Sequence, residues 1–429
     1  MAELKRHLGL WGAASIGIGA IIGAGIFVMS GVASGLAGPA VILSFLIAGV
    51  IAFFTALSSA ELSSFITEAG GSYIYTHKAF GKFWGFVVGW MQSFDYIVGA
   101  SAISVGFAGY FIYFAGIQQI AQNIIIIAVV MPLILVLINM IGIREAAGAN
   151  NLLVGIKVTA LALFVIVGLF FLFSHGNFSN YHPFFPRGFA GMLSGAALIF
   201  FAFIGFNTIT MIAEEVKDPE RNVPRSLVFA FLICTLLYIG VSVVEVGLVD
   251  WKIIGASDAP LDLALGFATN NIVLLKFVSI SALFATASAT MASILGGSRA
   301  VFSMARQRVL PGMLAKISKN GIPVNAVLIN GFTIVLIVIV TKGDLQLIAS
   351  IFNFGTLMTF FFINMSLLML RRKMPEAKRT FKVPFYPITP ILGLISCFAL
   401  VFYLKTSAII AAGVWIVLGV VAYEYNKRL

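Results

Sequence analysis

The stretch that decides the fold is "GIGAIIGAGIFVMSG", which runs from Gly17 to Gly31 inside an apolar segment long enough to cross a bilayer. Five of these fifteen residues are glycine, although glycine is a poor helix former. Backbone that leaves the helix at membrane depth is tolerated only where it is buried in protein or lines a cavity. We therefore predict a break at Gly23, Ala24 and Gly25 that faces a polar ligand.

The composition of the chain assigns it to the membrane. Of the 429 residues 60% are hydrophobic and only 10% are charged, whereas about 25% are charged in ordinary globular proteins. Apolar runs of about 20 residues, which suffice to cross a bilayer, recur along the whole chain. We count twelve candidate spans, at 11–33, 40–66, 82–115, 121–141, 147–174, 190–214, 226–249, 272–304, 324–341, 345–370, 386–404 and 407–425. The predicted fold class is an all-α polytopic membrane protein, with the lipid bilayer as a partner.

The basic residues are distributed unevenly between the loops. Of the 27 lysines and arginines, 21 lie in the loops on the side of the N-terminus, five lie in the opposite loops, and Lys157 lies inside a span. Because basic loops favour the cytoplasmic side of a membrane, both termini are predicted to be cytoplasmic in a plasma-membrane protein. The same bias explains the net charge of +11 without a nucleic-acid partner.

A second interrupted segment, "IFFAFIGFNTITM" at 199–211, follows the first by five spans. Gly205 and Asn207 interrupt its apolar run. Paired interrupted segments in two halves of a chain are typical of transporter binding sites. Tight helix packing through Gly19 and Gly23 is the alternative explanation for the first break.

An unwound helix offers free N–H groups on one side and free carbonyls on the other. The predicted donors to a carboxylate, which a helix dipole also favours, are the amides of Ala24, Gly25 and Ile26. The predicted acceptors from an ammonium are the carbonyls near Ile21, Phe201 and Ile204. Together these groups predict a small-molecule ligand with the charges of an amino acid zwitterion.

Four motifs in this order resemble the amino acid–polyamine–organocation (APC) transporters, in particular the ApcT-like and cationic amino acid transporter branch. The motifs are "GIGAIIGAGIF", "GLAGPAVILSF", "AELSSFITEAGGSYIYTHKAFG" and "FIGFNTITMIAEEVKDPERNVPRS". The resemblance covers essentially the whole chain. It implies a LeuT-type fold with two inverted five-helix repeats, at 1–180 and 181–372, and two further helices at 373–429. It also implies alternating access around helices one and six, both of them broken.

The resemblance assigns roles to several positions. The family binds the substrate carboxylate with the backbone of the glycine-rich break, here Gly23, Ala24 and Gly25. It places an aromatic gate just before the second break. The candidates for this gate are Phe200, Phe201 and Phe203. Asn207 follows a Gly-Phe pair where many relatives carry an acidic residue, so the resemblance implies small neutral amino acids rather than cationic ones.

Two ionisable residues lie in the middle of predicted spans, Lys157 in span five and Asp95 in span three. Ionisable groups at this depth indicate functional sites. A buried lysine can lose its charge, which suits a group that carries a coupling proton. In the ApcT-like branch such a lysine stands in the place of a sodium ion, so the resemblance implies H⁺ as coupling ion and no other cofactor or metal. Asp95 is predicted to communicate electrostatically with Lys157; a static ion pair between helices is the alternative.

Other functions are less consistent with the sequence. An enzyme would need a clustered catalytic set and a channel a continuous polar lining, and the spans contain neither. The alternatives left open are an amino acid exchanger, a cationic amino acid or polyamine transporter, and a membrane-embedded amino acid sensor. An accessory subunit is also left open. Glu61 is a candidate for an inner gate, and Glu245, near the outer end of span seven, is predicted to be solvated.

Overall fold

The computed structural model describes residues 8–23, 25–66, 71–141, 147–176, 178–212, 215–306, 310–318 and 322–427. The α-helices, in chain order, are α1 (Leu10–Ile21), α2 (Ser30–Ala37), α3 (Val41–Ser63), α4 (Ser72–Phe80), α5 (Lys82–Ala115), α6 (Ala121–Ile141), α7 (Ala147–His175), α8 (Gly188–Ile199), α9 (Asn207–Met211), α10 (Pro219–Leu248), α11 (Trp251–Gly255), α12 (Pro260–Ala268), α13 (Ile272–Arg306), α14 (Val324–Val340), α15 (Leu345–Lys373), α16 (Ile388–Val401) and α17 (Thr406–Lys427). Within these ranges the only β-type pairing is an isolated bridge between Leu8 and Val216, so the all-α prediction is confirmed.

The helices are long and apolar enough for a membrane protein. Nine stretches in the described ranges could cross a bilayer, and the first, Leu10–Ser63, contains both the broken first helix and α3. Two shorter apolar helices, α14 and α16, add to these. Large apolar side chains such as Phe170, Phe173 and Leu236 are more than 70% exposed, as expected of a surface that faces lipid. The count of twelve spans, the inverted repeats and the boundaries at 180 and 372 stay predictions.

The first predicted break is present. α1 ends at Ile21, and Ile22 and Gly23 follow it without helical structure. The chain then resumes as a π-helix over Gly25–Met29, which continues into α2. Ala24 lies outside the described residues. The glycine-rich sequence thus produces two half-helices, because few residues here favour an uninterrupted α-helix.

The second predicted break is present as well. α8 tightens into a 3₁₀-helix over Phe200–Phe203, and Ile204 is extended with φ −81° and ψ 151°. Gly205 has φ +118°, a conformation that side-chain-bearing residues rarely adopt, and α9 begins two residues later. Asn353 on α15 donates its side-chain amide to the carbonyls of Ala197 and Leu198 at 2.9 and 2.8 Å. This buried amide satisfies carbonyls at the point where the helix changes its pitch.

The two breaks pack directly against each other. A Cβ atom added to Gly205 would lie well under 3.0 Å from the carbonyl of Ala20 on α1. A Cβ added to Gly25 would collide in the same way with the backbone of Ala202. Each break therefore needs a glycine so that the backbone of the other half-helix can approach.

Glu61 ties one end of the bundle together. It lies at the end of α3, is fully buried, and accepts two hydrogen bonds from Arg371 on α15, at 2.7 and 2.6 Å. It also accepts from the Val383 amide at 2.7 Å, and the Arg379 guanidinium lies 3.3 Å away. These contacts hold the basic segment after α15 against α3.

Candidate functional site

A cavity of about 410 Å³ lies where the two breaks meet α5, α7, α13 and α15. Most of its wall is apolar and includes Ile16, Ile103, Phe352 and Phe360. A cavity of this size that combines apolar walls with a few polar groups is typical of small-molecule sites.

Seven of the predicted site residues line this cavity. They are Ile21, Gly23, Gly25, Asp95, Lys157, Phe201 and Ile204. Ile26 and Phe203 are fully buried and lie outside the cavity wall; Phe203 packs on Phe231 and Tyr238 instead. Ala24 lies outside the described residues, and of Asn207 only the backbone, at the start of α9, is described.

Phe201 is the gate candidate that reaches the cavity. Its ring lies 4.5 Å from the ring of Phe352 on α15, measured between centroids. Phe200 packs on Phe360, and only Phe201 of the three phenylalanines stands on the cavity wall. The aromatic pair of Phe201 and Phe352 therefore covers one side of the space between the breaks.

The backbone groups of the first break are partly engaged within the protein. The carbonyl of Ile21 accepts from the Gly23 amide at 2.8 Å and from the Tyr238 hydroxyl on α10, also at 2.8 Å. A carbonyl has two lone pairs, so this oxygen is satisfied without a ligand. The carbonyls of Phe201 and Ile204 remain as the predicted ammonium acceptors.

Gly25 and Gly23 differ in what surrounds them. At Gly25 a side chain would collide with Ala202, so a large substitution there disrupts helix contact before it affects any ligand. At Gly23 an added Cβ would have Ala289 as its nearest side-chain neighbour, at an ordinary 3.7 Å. Gly23 is therefore the position at which the cavity can be narrowed without disturbing the packing of the breaks.

Lys157 and Asp95 stand on the wall of the same cavity, on α7 and α5. The Lys157 residue is only 5% exposed. The Asp95 carboxylate packs against Gly355 on α15, and a side chain at position 355 would leave no room for it. The Thr356 hydroxyl lies 3.4 Å from the Asp95 carboxylate. Asp95 and Lys157 thus share one cavity, and the electrostatic interaction between them stays a prediction.

The sequence reasoning missed the contribution of α15. Besides Phe352 and Phe360, Thr356 and Thr359 of this helix line the cavity. Polar residues spaced three or four apart in an apolar span were the available signal, because such residues share one helix face. Of the hydroxyls in span eight whose side chains the structure describes, only Ser288 and Ser293 reach the cavity, while others such as Thr286 bond to carbonyls of their own helix.

Comparison with known proteins identifies the class. The amino acid permease family model matches residues 8–422. The chain is 33% identical to the branched-chain amino acid permease BcaP of Bacillus subtilis, over 99% of this chain and 94% of that protein. It is 32% identical to the methylthioribose transporter of the same organism, over the same shares of both chains. It is also 32% identical to the mitochondrial cationic amino acid transporter 3 of Arabidopsis thaliana, over 84% of this chain and 61% of that protein.

The broken helices, the cavity between them and these similarities define a multi-pass membrane transporter and not an enzyme. Within that class, the chain belongs to the amino acid permease family of the APC superfamily and takes part in amino acid transport.

Proposed function

We propose that the protein is a secondary active transporter that carries small neutral amino acids by proton-coupled alternating access. The observation that carries this proposal is the cavity between the two breaks, which holds Lys157 on its wall. The amides of the first break would receive the carboxylate and the carbonyls of the second break the ammonium. Both termini would be cytoplasmic, and the protein would lie in the plasma membrane.

Neutral substrates are supported by the wall of the cavity. Aliphatic and aromatic side chains, including Ile16, Ile103 and Phe352, surround the space left for the substrate side chain. Two of the relatives are named as branched-chain amino acid permeases, from Bacillus subtilis and from Lactococcus lactis. Leucine, isoleucine and valine are therefore the first substrates to test. The acidic Asp95 in the same cavity favours cationic amino acids as the second candidate, consistent with the cationic transporter relatives.

A proton as coupling ion is supported by Lys157. A lysine that is nearly inaccessible to solvent and stands beside the substrate site can exchange a proton when the cavity opens to water. The protonation state of Lys157 would then bias the position of the half-helices around it. Loss of the amine would leave binding groups in place but would remove the proton carrier.

Uptake into sealed proteoliposomes tests this proposal. Labelled leucine should accumulate when an inward pH gradient is imposed in sodium-free buffer, and Lys157→Ala should abolish that accumulation. The matched control is Lys276→Ala, which removes an exposed lysine from the first turns of α13. Accumulation driven only by a sodium gradient would refute the proton proposal. Counterflow without net accumulation would indicate an exchanger, and binding without movement would indicate a sensor.

A further inference from the structure

Glu245, near the end of α10, is a buried carboxyl group that does not belong to the substrate cavity. It is fully inaccessible, which makes the prediction of a solvated residue wrong. The reason is that α11 and α12 pack against α10 beyond this residue, and α2 packs in turn against α11 and α12. Gly31 on α2 lies so close to α12 that an added Cβ would come within 2.8 Å of Pro260. Within the described residues, neither carboxyl oxygen of Glu245 has a hydrogen bond that meets normal geometry.

Glu245 and three polar residues on neighbouring helices, Ser30, Tyr110 and Asp262, are called the Glu245 cluster. The Ser30 hydroxyl on α2 lies beside Glu245. Tyr110 on α5 donates to the Phe27 carbonyl at 2.5 Å, and its hydroxyl lies within electrostatic range of both acids. Asp262 on α12 is fully buried and accepts from the Ser279 hydroxyl with one oxygen. In the described part of the chain its other oxygen lacks a partner, as the Ser30 hydroxyl does.

The Glu245 cluster is far from the substrate cavity. On α7 and α10, Val165 contacts Gly240 and Gly168 contacts Val244, so the two helices run parallel. In this alignment Glu245 lies level with a position on α7 thirteen residues after Lys157, so the two residues are about 20 Å apart along the helix axes. On α5, Tyr110 lies fifteen residues beyond Asp95, or about 22 Å. The cluster is thus separate from the polar groups that line the cavity.

The groups that face Glu245 do not compensate a negative charge. The titratable groups on the elements packed around this end of α10 include Tyr110 and Asp262, Tyr181, whose hydroxyl donates to the Val243 carbonyl, and Asp258, which lies against Gly109 on α5. The nearby cations Arg187 and Lys252 lie over the ring of Trp251 on α11. An ionised carboxylate that is buried with a single hydroxyl beside it and without a counter-charge is costly, whereas the neutral acid can donate its proton to that hydroxyl oxygen.

We propose that the Glu245 cluster is a second protonation site, in which the Glu245 carboxyl holds a proton that it shares with the hydroxyl oxygen of Ser30. The ligand is the proton itself, with no other reactant. Because α2 continues from the first break and α12 follows α10 through α11, separation of these helices exposes the acid to water and releases the proton. This coupling to transport rests on the proposed function; the binding of the proton does not.

Difference infrared spectroscopy of the full protein in nanodiscs tests the proton directly. The spectrum of the protein minus that of Glu245→Gln, at pH 7 in choline chloride, should contain a carboxylic-acid C=O stretching band that shifts in D₂O. The matched control Asp344→Asn removes an exposed carboxylate paired with Lys405 and should give no such band. Absence of the band for Glu245 would overturn the proposal. A band that disappears when sodium chloride replaces choline chloride would also overturn it, in favour of a cation site.

Two further measurements separate this site from the proposed function. Glu245→Gln mimics the neutral acid, so it should keep the leucine affinity of the unmodified protein within about twofold. Its leucine uptake should depend less steeply on the pH of the compartment that faces α12, while the dependence that Lys157 confers remains. If uptake in Glu245→Gln keeps the full pH dependence, the coupling to helix separation is refuted. If no leucine is transported by any form of the protein, the infrared band still decides whether the site binds a proton.

Discussion

Gly205→Ala is the perturbation that most directly tests the contact between the two breaks. Gly205 has φ +118°, and a sparsely populated backbone conformation of this kind costs a residue with a side chain about 1–3 kcal/mol. The new methyl group would also press on the Ala20 carbonyl, and overpacking of this kind costs about 1–3 kcal/mol. The expected loss is therefore about 2–6 kcal/mol of folding free energy. Thermal unfolding in detergent, followed by intrinsic fluorescence, should show a clearly lowered midpoint, together with loss of leucine uptake.

Gly23→Ala is the matched control for this prediction. Its methyl group would find Ala289 at 3.7 Å, an ordinary contact distance. We expect almost unchanged thermal stability in this variant but weaker leucine binding, because the methyl group narrows the cavity beside the amides of the break. If Gly205→Ala unfolds at the same temperature as the unmodified protein and transports normally, the inferred interlocking of the two breaks is incorrect.

Three further predictions concern groups outside the breaks. Glu61→Gln should lower the free energy of unfolding by about 3–5 kcal/mol, because it leaves the Arg371 guanidinium without its buried carboxylate. Asp344→Asn, on the surface, should change the free energy of unfolding by only about 0–1 kcal/mol. Thermal unfolding of both variants tests this difference. Tyr238→Phe should cost about 0.5–1.5 kcal/mol in the same assay, because it removes the hydroxyl that donates to the carbonyl at the end of α1. Burial raises the pKa of Asp262 from 3.8 to about 7, so the folded protein holds this proton more tightly than the unfolded chain. The stabilisation that this proton gives is complete below about pH 4 and is lost as the pH rises through about 7. The unfolding midpoint should therefore fall across this pH range, and it should fall less in Asp262→Asn.

The sequence predicted the parts of the site whose chemistry is local. Gly23, Gly25 and Gly205 predicted the breaks because glycine weakens a helix wherever it stands. Lys157 was recognisable because a lysine in the middle of an apolar span is rare. Both features are visible in a single segment of chain, and the structure places these four residues on the wall of one cavity.

What the sequence did not predict depends on how distant segments pack. Phe352 and Thr356 belong to α15, and only the assembled bundle brings their helix against the breaks. Glu245 was expected to be solvated because it stands close to the end of its span, but the short helices after α10 fold back and bury it. Asn353 likewise became interpretable only when its two carbonyl partners on α8 were seen.

A cryo-electron microscopy map of the protein in nanodiscs with leucine tests the central claim most directly. We predict that leucine lies in the cavity between the two breaks, with its carboxylate at the amides around Gly23 and Gly25 and its side chain toward Phe201 and Phe352. Leucine bound elsewhere in the bundle, or continuous helix through residues 22–24 and 204–206, would contradict the account.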